Sequence, residues 1–209
     1  MSNKKSVVLF SGNGSNLKNL LENNKEIEDK LKYVAAFTNN PNAGGIQICH
    51  DFDLEVCVSN GKNINSELSM FFENYNPDLI ILAGYMKIIP ADIVDKYLGK
   101  IINIHPSLLP KYPGLDTHAK VLASKDSFHG ATIHFVTRDL DQGPIILQGK
   151  YNVPDEADES HLKTLTHNAE YVIYPIVVKW FANGLIKMRD EKFHLNCKVI
   201  DTPIVLLID

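Results

Sequence analysis

Cysteine is scarce in this chain. Cys49, Cys57 and Cys197 form no even-numbered framework and no Cys-x-x-Cys, which argues against a disulfide scaffold and a thiol-redox motif. No apolar run approaches the roughly 20 residues that span a bilayer. The opening MSNKKSVVLF has two lysines but only a four-residue apolar segment, too short for a signal peptide. The expectation is a reduced, cytoplasmic protein that does not enter a membrane. There is no strongly basic stretch, and the formal net charge is -4, so nothing electrostatic calls for nucleic acid. The eight histidines are scattered, without HExxH or a Cys/His cluster, so no metal is expected. Internal repeats, low-complexity tracts and a Pro/Gly/Ser linker are also missing. A single domain over residues 1–209 follows, with 191–209 as a tail of unassigned role.

What is present is the ordinary composition of a globular protein, 44% hydrophobic and 22% charged, in a chain long enough for a large core. Short apolar runs recur at Ser6–Phe10, Tyr33–Phe37, Glu55–Val58, Leu79–Leu82 and Ile101–Ile104. Helix-like stretches lie between them, near Leu17–Glu22, Asn65–Tyr75 and Ala91–Tyr97. Strands that are apolar on both faces and alternate with helices imply an α/β fold: an open, mostly parallel sheet with helices on both faces. After residue 130 the pattern changes. Ala131–Val136 and Ile145–Tyr151 read as strands joined by the short polar TRDLDQGP, so antiparallel strands are appended in the C-terminal half. A long helix is expected from Ser160 to Ala182, with Ser160 as N-cap, Gly184 as stop and a kink or break at Pro175. Its apolar stripe is Leu162, Leu165, Ala169, Ile173, Ile176 and Trp180. Glu191–Asp209 reads as one or two strands that the pattern does not place.

Two glycines and two asparagines follow the first strand, in SGNGSNL at residues 11–17. A glycine-rich turn between a strand and a helix points backbone N–H groups outward at the positive end of the helix dipole, which suits an anion. The dinucleotide fingerprint fails because Leu17 stands where its third glycine belongs, and because the next strand ends in Thr38-Asn39-Asn40 rather than in an acid. The G-K-[ST] of a P-loop is absent as well. Two readings stand: a loop for a single phosphate monoester, or a tight turn with Ser15 or Asn16 as helix cap.

The chemistry concentrates in INIHPSLLPKYPG, residues 102–114. Asn103 and His105 are two apart at the end of an apolar strand, so their side chains share a face. The carboxyl end of a strand is where open α/β sheets bind ligands. An amide donor beside an imidazole suits a developing oxyanion; the bland alternative is a strand-end histidine with Asn103 satisfying a turn. In DLDQGP, Asp141 precedes Gly143-Pro144 and is equally a simple turn residue or a carboxylate that favours a protonated His105. His134 alternates with Ile133 and Phe135 and reads as a packed, hydrogen-bonded histidine rather than a catalyst. His118 opens a short helix capped by Asp116, near the expected site. Glu170 and His167 border the apolar stripe of the long helix, where such residues are usually solvated.

Taken together, SGNGSNL, PDLIILAGYMKII, NIHPSLLPKYPG, HGATIHFVT, LDQGPIILQ and EYVIYPIV, in this order and spacing, resemble the folate-dependent phosphoribosylglycinamide formyltransferases from residue 6 to about residue 190. The resemblance implies an enzyme of de novo purine biosynthesis that moves the formyl group of 10-formyltetrahydrofolate to the amine of glycinamide ribonucleotide. It puts the catalytic roles on Asn103, His105 and Asp141. It assigns the ribonucleotide phosphate to Gly14, Ser15 and Asn16, and further ribonucleotide contacts to His167, where glutamine is common, and Glu170. The folate pocket falls on Met86, Lys87, Ile88, Ile89, Asn103, Arg138, Asp139, Leu140 and Asp141. Lys62 is the nearest cation to the arginine that some members place over the folate glutamate tail. No metal is implied, the partners are small-molecule substrates, and the state is monomer or homodimer. A hydrolase using water as nucleophile would employ the same Asn/His/Asp set, but such relatives carry an N-terminal regulatory domain, for which no room is expected here. The transferases acting on charged tRNA carry a further C-terminal domain, and a non-catalytic relative would have lost one of the three residues.

Overall fold

β1 (Lys4–Phe10) leads the chain into its core, and Val7, Val8, Leu9 and Phe10 have no exposed surface. Burial on both sides is what a strand in a covered parallel sheet requires. β1 pairs in parallel with β2 (Leu31–Thr38) on one side and β4 (Leu79–Leu82) on the other, and β3 (Val56–Val58) extends the ladder beyond β2. The order is β4-β1-β2-β3. Parallel neighbours need crossovers, supplied by α1 (Ser15–Glu22), α2 (Gly45–Asp51) and α3 (Ile64–Tyr75); α4 (Ala91–Lys96) follows β4. The structure, a computed structural model, describes residues 3–209 and divides into two compact units, Met1–Ile102 and Asn103–Asp209.

α2 has no counterpart in the apolar pattern. It opens on two glycines, which are poor helix formers, and seven residues are too few to show a period. Close packing explains both Gly45 and Gly14. A Cβ on Gly45 would stand 2.5 Å from the Phe10 ring, and one on Gly14 would stand 2.6 Å from the Gly45 Cα. The backbone of α2 thus braces the loop that leaves β1, and Gly45 N–H donates to the Gly12 carbonyl at 3.2 Å.

In the second unit, β5 (Ile101–His105, whose first two residues belong to the first unit), β6 (Phe128–Phe135), β7 (Ile145–Asn152) and β11 (Val205–Leu207) lie in the order β11-β7-β6-β5. β6 and β7 are antiparallel, as the short TRDLDQGP connection implies, and β11 joins β7 in parallel. The tail therefore does have a place. β8 (Ile186–Arg189), β9 (Lys192–Leu195) and β10 (Lys198–Val199) form a small antiparallel meander before the chain returns to the sheet edge as β11. α5 (Thr117–Ser124) precedes β6, and the Leu109-Pro110 bond is cis. The expected class, a mostly parallel α/β sheet with appended antiparallel strands, is the class found.

α6 (Glu159–Ala182) differs in three details from its sequence pattern. Its N-cap is Asp158, whose carboxylate accepts from the His161 N–H at 2.7 Å; Ser160 is already inside the helix. The helix continues without a break through Pro175, because Ile173, Tyr174, Val177 and Val178 on either side of it are locked in the core. Leu165, Ile176 and Trp180 are only half-buried, while Thr166, Glu170 and Tyr174 lie inside. A helix that packs against α5, β6, β7 and β8 buries a face wider than one stripe. Gly149 of β7 lets it approach: a Cβ there would be 3.2 Å from the Ala169 Cβ. The stop is as expected. Gly184 (φ 71) donates to the Phe181 carbonyl and Leu185 to that of Trp180, the paired bonds of a Schellman cap.

Asp158→Ala is therefore expected to cost about 1 kcal/mol of stability. Ser160→Ala should leave the urea midpoint unchanged; the reverse ranking would reassign the cap.

Candidate active site

β5 ends in Asn103 and His105, and the two-residue period puts both side chains on one face, where they meet residues from the β6–β7 hairpin. His134, near the end of β6, is 2% exposed; its Nε2 lies 3.2 Å from the Asn103 Nδ2 and its Nδ1 lies 2.9 Å from the Phe135 carbonyl. Nδ1 therefore carries the proton that the carbonyl accepts, and Nε2 takes a hydrogen bond from the Asn103 amide. One N–H of that amide remains for other use.

Asp141 stands in the connecting loop with a left-handed backbone, φ 55. Gly143 behind it holds the loop against the strand end, since a Cβ there would sit 1.8 Å from the Phe135 carbonyl oxygen. The Asp141 carboxylate, 7% exposed, reaches His105 Nδ1 with Oδ2 at 3.3 Å and His134 Nε2 with Oδ1 at 3.6 Å. Its Oδ2 also accepts the Gly114 N–H at 2.8 Å. On the other side of the His105 ring, Nε2 lies 2.8 Å from the Tyr112 carbonyl. Both nitrogens of His105 thus face acceptors, and only an imidazolium can donate to both. Burial pushes the His134 pKa down, and the nearby positive end of His105 adds to this; the Phe135 carbonyl and Asp141 oppose it without reversing it. Two histidines that share a carboxylate are held in different surroundings.

The Tyr112 segment is itself anchored. Tyr112 O–H donates to Asp126 at 2.9 Å, and the Lys111 ammonium meets both oxygens of that carboxylate at 2.9 Å. Lys111, followed by Tyr112, holds the Asp126 carboxyl below its ordinary value. Asp116 occupies the N-cap of α5 but gives no side-chain cap; it sits at φ 59 with its carbonyl accepting the Lys120 N–H. Behind this loop His118 Nδ1 and His129 Nε2 are 2.9 Å apart, and His129 packs edge-on against Tyr151. Tyr151 O–H contacts Thr166 Oγ1 at 2.7 Å on α6. The two expected ribonucleotide contacts lie on that helix: His167, half-buried and stacked on Tyr171, and Glu170, 5% exposed; burial raises the Tyr151 pKa and the nearby Glu170 charge adds to it. Neither is a solvated margin.

In the first unit, the loop of SGNGSNL leads directly into α1. Gly14, at φ 76, is the N-cap, and no side chain caps this helix, so the reading of Ser15 or Asn16 as a cap is corrected. The first-turn amides of a helix without a side-chain cap are left as donors at the positive end of its dipole. In the segment after β4, Met86, Lys87 and Ile88 are exposed while Ile89 is buried. Lys62 lies in the turn after β3 with its backbone N–H held by Asn60 Oδ1 at 2.8 Å. Arg138, Asp139 and Leu140 are exposed on the Asp141 loop. Among the described residues no group of three or more His, Cys, Asp or Glu is arranged to hold a metal.

The structure thus brings Asn103, His105 and Asp141 together and adds three members that residue type did not announce. Two are backbone groups, the Tyr112 carbonyl and the Gly114 N–H, which carry no side-chain signature. The third, His134, is packed and hydrogen-bonded as expected, yet it also orients the Asn103 amide. Its only signal was its position on the strand that the Asp141 loop leaves.

The formyl transferase family matches residues 4–178 of this chain. The chain is 39% identical over 196 residues to the phosphoribosylglycinamide formyltransferase of Escherichia coli (strain K12), covering 91% of this chain and 92% of the relative. It is 36% identical over 203 residues to that of Haemophilus influenzae, covering 94% and 96%. Among solved structures, the phosphoribosylglycinamide formyltransferase of Coxiella burnetii superposes with a TM-score of 0.91 at 33% identity, over 98% of this chain and 99% of that one. The chain belongs to the formyl transferase family and, within it, to the phosphoribosylglycinamide formyltransferases, which transfer a formyl group in purine biosynthesis.

Burial lowers the pKa of His118, His134 and His167, and brings His129 down to about 4. The unfolded chain takes up these protons near pH 6.5 while the folded chain refuses them, so below that pH the unfolded state binds more protons. Stability is full above about pH 6.5 and is expected to fall toward pH 4, by roughly 1–3 kcal/mol from His129 alone. Urea midpoints at pH 7.5 and 5 measure this, and His129→Gln should flatten the difference.

Proposed function

We propose that the enzyme transfers the formyl group of 10-formyltetrahydrofolate directly to the amine of 5-phosphoribosylglycinamide, giving formylglycinamide ribonucleotide and tetrahydrofolate. The observation that carries this reading is the Asp141 carboxylate held between His105 and His134, with the Asn103 amide fixed beside them. The neutral amine adds its lone pair to the formyl carbon, and negative charge develops on the formyl oxygen. The N–H of Asn103 that His134 leaves over donates to that oxygen, and imidazolium His105 stabilises it electrostatically. Asp141 keeps the charged ring in place and, through water, takes the proton that the attacking nitrogen sheds. Collapse of the tetrahedral adduct breaks the bond to the folate nitrogen, which leaves with the proton that Asp141 and the water pass on to it. No covalent enzyme intermediate is needed.

In this reading the uncapped start of α1, with Gly14, Ser15 and Asn16, binds the 5′-monophosphate, and His167 and Glu170 make further ribonucleotide contacts. Met86, Lys87, Ile88 and Ile89, with Arg138, Asp139, Leu140 and Asp141, bind the folate donor. Lys62 is assigned to its glutamate tail. The partners are these small molecules, in the cytoplasm, with the chain a monomer or homodimer.

Tetrahydrofolate release from 10-formyltetrahydrofolate should require glycinamide ribonucleotide. Equal release without it would replace the transferase by a hydrolase. His105→Ala and Asp141→Asn should each lower kcat by ~10²–10³, the usual worth of such a group, with thermal unfolding near that of the wild type. Near-wild-type turnover in both would overturn the catalytic assignment.

A further inference from the structure

Every polar group of Ser11 is taken up by the two neighbouring strand ends. It is the first residue after β1, 9% exposed, and it opens the loop that runs through Gly12–Gly14 into α1. Its N–H donates to the Gly84 carbonyl at 3.1 Å, beyond the end of β4. Its carbonyl accepts from Asn40 Nδ2 at 2.9 Å, beyond the end of β2. Its hydroxyl donates to Asn39 Oδ1 and accepts the backbone N–H of Met86 at 2.8 Å. Asn39 thereby orients the hydroxyl so that its lone pair faces Met86. The Met86 and Ile88 side chains are 72% and 76% exposed, so apolar packing does little to hold this part of the segment. Gly84, at φ 77, turns the chain into it.

We infer that Ser11 is a positioning residue: its hydroxyl, aimed by Asn39, fixes the Met86–Ile89 segment relative to the loop that begins at Gly12. This rests on the reading above, in which that segment binds the folate donor and the loop binds the ribonucleotide phosphate. Ser11 touches neither substrate; it acts through the Met86 backbone. Besides the Ser11 N–H on the Gly84 carbonyl, which any side chain at this position keeps, the hydroxyl sets the two binding elements of this unit against one another, and its loss should be felt on the donor side. The phosphate loop keeps its own braces, the Gly45 N–H on the Gly12 carbonyl and the Lys18 N–H on that of Gly14.

The test is Ser11→Ala, with Ser11→Thr as the hydroxyl-retaining variant. Two readouts apply: steady-state kinetics with both substrates varied, and hydrogen exchange of the 84–89 segment. In Ser11→Ala the KM for 10-formyltetrahydrofolate should rise about tenfold, equivalent to one hydrogen bond. The ribonucleotide KM and kcat should stay within about threefold, exchange should accelerate in 84–89 more than in β1 or β4, and Ser11→Thr should recover the donor KM. If Ser11→Thr does not fold, Asn39→Ala, which leaves the hydroxyl unaimed, should shift the same KM in the same direction. A parallel rise of both KM values would mean a general loop defect and overturn the inference, as would no change in either. Should the wild type not use the folate donor at all, the functional reading falls by that result; unchanged exchange in 84–89 would then separately refute the role of Ser11.

Discussion

One carboxylate organises the second unit. Asp141 touches His105, faces His134 and accepts the Gly114 N–H, so strand β5, the β6–β7 hairpin and the loop before α5 converge on its two oxygens. A carboxylate this buried is tolerated only with partners that compensate its lost hydration. The left-handed backbone of Asp141 and the glycine at 143, whose Cβ would strike the Phe135 carbonyl, are local costs that this convergence offsets. The same contacts give the two rings different surroundings. An imidazole between a carboxylate and a carbonyl, His105, is placed to be a double donor. An imidazole between a carbonyl and an amide, His134, is placed to stay neutral. One residue type serves two ends because its neighbours differ.

The rest of the unit keeps that geometry in place. Asp126 ties Lys111 and Tyr112, so the carbonyl facing His105 Nε2 belongs to a segment that is itself clamped. α6 carries His167 and Glu170 on a helix that stays continuous through a proline because the core on either side of it is closed. The first unit works differently. It offers backbone groups rather than acids and bases: amides at the uncapped start of α1, and a segment after β4 fastened through Ser11.

Much of this was legible in the residues. A run such as Leu79–Leu82 is apolar on both faces and short, and the structure ends β4 at the same residues. The shared face of Asn103 and His105 follows from the period of a strand, and the antiparallel β6–β7 pair from a short polar connection. α2 was illegible because Gly45 is required by its contact with Phe10 and Gly14, not by helix propensity. The pattern puts the cap of α6 two residues late because aspartate and serine both cap helices and periodicity alone does not rank them. The tail was unplaced because β11 adds to an edge far away in sequence. The meeting of Asp141 with His105 depends on a hairpin closing over β5, and the carbonyl and amide that complete the cluster leave no trace in residue type. For the roles of the residues, the resemblance to a known family carried what spacing could not.

The most direct test of this account is a double-mutant cycle on formyl transfer with His105→Ala, Asp141→Asn and the two combined. If Asp141 acts largely by holding His105, the double variant will be little slower than the slower single one. Fully additive losses would mean that the carboxylate and the imidazole work independently, and the shared-carboxylate account would fail.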